Sequence, residues 1–202
     1  MISFETTRAA LFDFAAAKIV LSELRPHLSD LYVPTVQAKP LEPVLAELDK
    51  VLMRMFDYID VAFTKDALLP ILRTLLSTIE AALLFGGERR SAADEDCEFI
   101  LQDMEAIKDF FSQRDETGKF AGLSDGTIMQ EFLSLHAILR LMEKPTAALM
   151  EQYATAPVET ANADSCADKD TIIRVIARRP GKDAKKFVSR VRKLNNMIDA
   201  RA

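Results

Sequence analysis

The stretch DALLPILRTLLSTIEAALLF, residues 66–85, decides how the rest of the chain is read. Its apolar residues run around most of a helical circumference, the pattern of a helix enclosed by other helices. Pro70, Arg73 and Glu80 break the run. It therefore falls short of the roughly 18–20 uninterrupted apolar residues of a membrane span and is assigned to a protein core. Gly86-Gly87 follows, and glycine's access to the left-handed conformation makes the pair a helix stop.

Working towards the N-terminus, Val44, Leu45, Leu48, Val51, Leu52, Met55, Phe56 and Ile59 recur at helical spacing and predict a second helix over 41–63. Residues 34–40 begin and end on proline and read as a connector. Leu11, Phe12, Phe14, Ala15, Ile19, Val20 and Leu24 form one wide stripe, so a long first helix is expected over 3–31. Pro26 should bend or end it, because proline lacks the N–H donor and crowds the preceding turn.

Towards the C-terminus, Ser91 precedes Asp94, Glu95 and Asp96, a capping pattern that sets negative charge at the positive end of a helix dipole. Phe99, Ile100, Met104, Ile107, Phe110 and Phe111 give this fourth helix its stripe. Residues 114–122 read as a loop. Ser124 caps a fifth helix carrying Ile128, Met129, Phe132, Leu133, Leu135, Ile138, Leu139 and Leu141, and Pro145 restarts a sixth that runs to 153. The predicted fold class is all-α: an antiparallel bundle of about five to six helices over 1–153. No internal repeat is visible.

The composition agrees. Of 202 residues, 49% are apolar and 28% charged, with six glycines and no tryptophan, which favours packed amphipathic helices over a turn-rich sheet. Cys97 and Cys166 stand far apart and form neither a disulfide framework nor a metal motif, so a reducing, cytoplasmic setting is expected. Glu5, Arg8 and Asp13 interrupt the first apolar run, unlike a secretory signal.

Beyond the bundle, residues 154–168 have almost no large apolar side chain and read as a flexible linker. The tail, 169–202, holds eleven Lys or Arg against three acids, a net +8; the chain's net charge of −5 then leaves −13 on the first 168 residues. Residues 171–177 read as a short strand or a helical turn, and 182–198 as a helix whose apolar residues Phe187, Val188, Val191 and Leu194 share one stripe. The candidate anion-binding residues are Arg174, Arg178, Arg179, Lys182, Lys185, Lys186, Arg190, Arg192 and Lys193. Anionic phospholipid, an acidic protein surface and nucleic acid all fit such a tail. So does docking of its apolar stripe on the chain's own acidic body.

No constellation for catalysis is legible. Glu23 and His27 are four apart beside Pro26 and read as a surface pair. His136 reads as a partly buried core histidine. Asp94, Glu95, Asp96 and Glu98 lack the alternating ligands and central glycine of a calcium loop, and Thr117-Gly118-Lys119 lacks the rest of a phosphate-binding loop. No enzyme activity, cofactor or metal is expected.

Several short segments occur together in order. LFDF at 11–14 is followed by KIV at 18–20, ELR at 23–25, LY at 31–32, LLFGGERRS at 83–91, KDFF at 108–111, GL at 122–123, DTIIRVIARR at 170–179 and KKF at 185–187. This set resembles the C-terminal helical part, including the second Munc-homology domain, of plant-type MUN-domain proteins, relatives of the animal synaptic vesicle-priming factors. The resemblance implies the end of a stacked helical rod similar to tethering-complex subunits. It also implies a non-enzymatic role in vesicle tethering or priming and exocytic delivery, with trafficking or fusion-machinery proteins as partners. The setting implied is cytoplasmic, peripheral at the plasma membrane or on vesicles. Pro26 and Pro70 depart from the family pattern by falling inside its continuous helices, and 114–122 is longer and more charged. The alternative from another class is a small helical nucleic-acid-binding protein using the same tail, which the acidic body disfavours. Helix faces left apolar on the outside would drive homodimerisation.

Overall fold

The computed structural model describes residues 4–33, 36, 41–86, 96–112, 122–156 and 168–199, and every regular element among them is helical. The 34–40 connector (apart from Val36), the Ser91 to Glu95 start signal, most of the 114–122 loop and 157–167 of the expected linker lie outside the described residues, as do Cys166 and the Leu194 side chain.

The first helix, α1 (Phe4–Lys18), passes into a π-helical turn, Ile19–Glu23, closed by Leu24 N–H donating to the Ile19 carbonyl at 2.9 Å. The short α2 (Arg25–Leu28) follows, with Pro26 in its first turn, where the missing N–H matters least. Proline thus divides the expected helix, and the π turn absorbs the change of register. The burial also differs from expectation. Ala16, Ile19, Val20 and Leu24 face inward, while Leu11 is 62% exposed and Phe14 68%. The cause is that α1 is apolar on two sides: Phe4, Leu11, Phe14 and Leu21 form a second row at helical spacing, and only one row can face the core.

The next helix, α3 (Glu42–Phe56), buries Val44, Leu45, Leu48, Val51 and Leu52 as the spacing predicted, but ends seven residues earlier than the expected 63. A 3-10 turn, Val61–Phe63, intervenes; its N-cap Asp60 accepts from Ala62 N–H at 2.9 Å.

The centre is α4 (Thr64–Phe85), with Ala67, Leu68, Ile71, Leu72, Leu75, Leu76, Ile79, Ala82 and Leu83 buried. It continues through Pro70, whose carbonyl accepts from the Thr74 hydroxyl at 2.8 Å. By length and composition the span Val61–Phe85 would qualify as membrane-crossing, unlike the reading from its interrupted run, yet half of the apolar window is buried inside this fold. Gly86 is the C-cap of α4 at φ −63°, and Gly87 of the expected stop lies outside the described residues.

On the far side, α5 (Asp96–Ser112) buries Cys97, Ile100, Met104, Ile107 and Phe111. The expected fifth helix is two helices, α6 (Asp125–Glu131) and α7 (Leu133–Met142), stepped at Phe132. Ser124 caps α6 through its Oγ, which accepts from Thr127 N–H at 3.2 Å. After Pro145 comes α8 (Thr146–Thr155).

The tail continues the same core. Residues 169–178 form α9 (Lys169–Arg178), capped by the Asp168 carboxylate on Thr171 N–H at 2.6 Å, and this resolves the strand-or-helix alternative. Ile172, Val175 and Ile176 stand one helical turn apart and are buried against α4, α7 and α8. Gly181 at φ 129°, a conformation that L side chains rarely adopt, turns the chain into α10 (Lys182–Asp199). Ala184 and Val188 of α10 join the same hydrophobic cluster as the buried residues of α4 and α7.

Candidate functional site

The nine basic candidates separate into two groups by position. Arg174 is half-buried, pairs with Asp170 at 2.6 Å and stacks 4.1 Å from the centre of the Phe85 ring. Arg178 and Arg179 are buried, 6% and 4% exposed, beside Leu83, Met142 and Val175. The Arg179 guanidinium donates to the Met142 carbonyl and, at 3.0 Å, to the Lys144 carbonyl. It therefore closes the C-terminus of α7, where the last carbonyls lack helical partners and the dipole favours a cation. Burial pushes the Arg179 pKa down. These two arginines, expected with the surface candidates, lie in the interior, at the last residue of α9 and at its C-cap.

The other six, Lys182, Lys185, Lys186, Arg190, Arg192 and Lys193, are exposed on α10. Ala184, Val188 and Val191 on its opposite side are buried, and Phe187 meets the Tyr153 ring edge-on at 5.6 Å. The described part of the expected apolar stripe, Phe187, Val188 and Val191, is thus seated on the chain's own bundle while the bases point outward. Lys185, Lys186, Ser189, Arg190 and Lys193 line an open surface depression of about 510 Å³. Such a face can hold a multiply charged anion or lie along an anionic surface.

Among the described residues no group of three or more His, Cys, Asp or Glu is placed to hold a metal ion. The buried Cys97 thiol, 3.9 Å from the Leu139 carbonyl, is pushed up to about 11 by desolvation and by the nearby charges of Glu143 and Asp96, which keeps it protonated and unreactive. Glu23 meets Arg54 of α3 at 3.5 Å. His136 is half-buried, edge-on to Phe132 at 6.2 Å.

The LY segment at 31–32 is structural. Tyr32 is buried in a left-handed conformation, φ 60°, and donates its hydroxyl proton to Asp103 Oδ2 at 2.8 Å, tying the chain after α2 to α5. Nothing in local sequence spacing marks this pair, which lies 71 residues apart.

Architecture and surface together define a helical scaffold that presents charged and apolar faces. The chain belongs to the PATROL1-like family, described by TPR repeats, whose family model matches residues 3–197. It is also similar to the protein unc-13 homolog of Arabidopsis thaliana, 23% identical over 187 residues, which are 90% of this chain and 16% of that protein. The chain thus spans about one sixth of that relative's length. No solved structure matches it. The expected MUN-type relation is upheld at this coarse level. The family description names TPR repeats, whereas no internal repeat is visible in the amino-acid sequence read alone.

Proposed function

We propose that this chain is a non-enzymatic interaction module in vesicle tethering or priming and exocytic delivery to the plasma membrane. In this reading it corresponds to the C-terminal, second Munc-homology part of a longer helical rod. It acts in the cytoplasm, peripherally at the plasma membrane or on vesicles, and its partners are trafficking or fusion-machinery proteins. The family match over 3–197 and the similarity to a protein named unc-13 homolog support the trafficking role.

The membrane contact is assigned to the outward face of α10. The observation that carries it is the sorting of that helix, with six bases outside and Ala184, Val188 and Val191 buried on the opposite side. With those three residues already buried, attachment is electrostatic rather than by insertion. Each base near an anionic surface contributes about 1 kcal/mol, attenuated within a Debye length of about 8 Å at physiological salt. The test is co-sedimentation of the full chain with neutral and acidic liposomes at low and high salt. Binding to acidic liposomes alone, lost at high salt, is expected. Salt-insensitive binding or none removes the membrane contact from the proposal, and a preference for duplex DNA over acidic liposomes reassigns the face to nucleic acid.

A further inference from the structure

A trough of about 640 Å³ runs between α5 and the α6–α7 pair. Its apolar surface comes from Leu101, 36% exposed, and Met129, 42% exposed, with Phe132 buried at the bottom. Glu98, Glu105 and Asp109 line the α5 side. Lys108 meets Glu105 at 3.7 Å and offsets part of that charge, while Asp96 and Glu143 lie near enough to the Glu98 end to act on Cys97. The twelve residues from Glu98 to Asp109 rise about 16 Å along α5, three helical turns. The walls are fixed: Leu123 N–H donates to the Phe111 carbonyl at 2.8 Å, and Tyr32 holds α5 from behind through Asp103.

An apolar floor beside a wall of this length suits the apolar anchors of an amphipathic helix, and an acidic wall selects one whose flanks are basic. Anionic lipid and nucleic acid are repelled by the same wall. A second copy's α10 has the right charge, but its Ala184, Val188 and Val191 are already buried in its own bundle. We infer that the α5/α6–α7 trough is a docking groove for a basic amphipathic helix of a partner protein. This goes beyond the trafficking proposal and does not depend on lipid contact by α10.

Fluorescence anisotropy with labelled synthetic peptides and the full chain tests it. The peptides are a Leu/Lys amphipathic helix of roughly 16 residues, about 24 Å, the same helix with Glu replacing Lys, and a Leu/Lys peptide of equal composition scrambled to have no apolar face. The first peptide is expected to bind, the other two at least about tenfold more weakly. Leu101→Asn/Met129→Asn and, separately, Glu98→Lys/Asp109→Lys should each weaken it about tenfold with the far-UV circular dichroism unchanged, whereas Glu151→Lys on α8 should change it less than about twofold. The inference is overturned if the amphipathic basic peptide does not bind or if the scrambled one binds as well. It is equally overturned if Glu151→Lys weakens binding as much as the groove variants do.

Discussion

Replacing Arg179 with methionine keeps most of the side chain's bulk and removes its charge and donors. The native guanidinium donates to the carbonyls of Met142 and Lys144. Hydrogen bonds to a charged group contribute about 1.5–3 kcal/mol each, so the pair sets a gross loss of about 3–6 kcal/mol. Two effects offset part of this. Methionine does not carry the desolvation cost that pushes the arginine pKa down, and carbonyls at a helix end can recover water. The net expectation is a destabilisation of about 2–4 kcal/mol, a large part of the 5–15 kcal/mol typical of a domain. Urea unfolding followed at 222 nm reads it as a midpoint lowered by roughly 1–2 M with the slope unchanged. Arg190→Met, on the exposed face of α10, is the control and should stay within about 0.5 kcal/mol of wild type. Equal midpoints for Arg179→Met and wild type, or equal losses for both arginines, would refute the assignment of Arg179 to the interior.

Three further outcomes are expected. Tyr32→Phe removes the hydroxyl donor to Asp103 and should cost about 1–3 kcal/mol at neutral pH. Desolvation raises the Asp103 pKa and the Tyr32 hydrogen bond partly counters it. The folded state then binds more protons than the unfolded one between the two pKa values, so the Asp103 contribution is present at low pH and is lost as pH rises through its folded pKa. Tyr32→Phe raises that pKa further, so its penalty should shrink in acid; urea midpoints across a pH series check this, and a penalty independent of pH contradicts it. Ile176→Ala, at a fully buried position on α9, should cost about 2–5 kcal/mol; a cost below about 0.5 kcal/mol in the same urea assay would detach α9 from the core. Phe14→Glu, placed in the outward row of α1, should convert a self-associating wild type to monomer in sedimentation velocity, and a monomeric wild type removes that row as a dimer contact.

How legible the fold was depended on whether a residue's role was local. The buried face of α3 and most of that of α5 follow from helical spacing alone, and α4 is central because it is apolar nearly all round. The two apolar rows of α1 could not be ranked, since which one turns inward depends on where α4 lies. The β-branched run Ile172, Ile173, Val175 and Ile176 left strand and helix open, and the Asp168 cap decided it. Arg178 and Arg179 look like the α10 bases when charges are counted. Their burial is tertiary: Arg179 stands just past the end of α9 in extended backbone, where its guanidinium reaches the Met142 and Lys144 carbonyls. The Tyr32–Asp103 bond and the α5/α6–α7 trough depend on tertiary neighbours and left no local mark.

The central claim is that the basic tail meets anionic membrane through α10 while the arginines at the end of α9 serve the fold. It is tested most directly by acidic-liposome co-sedimentation of wild type, Lys185→Gln/Lys186→Gln/Arg190→Gln/Lys193→Gln, and Arg179→Met, each held below its unfolding midpoint. The account predicts that the α10 variant, as stable as wild type, no longer sediments with the liposomes, and that Arg179→Met, though less stable, binds as wild type does. Retained binding by the α10 variant, or loss of binding by folded Arg179→Met, would contradict it.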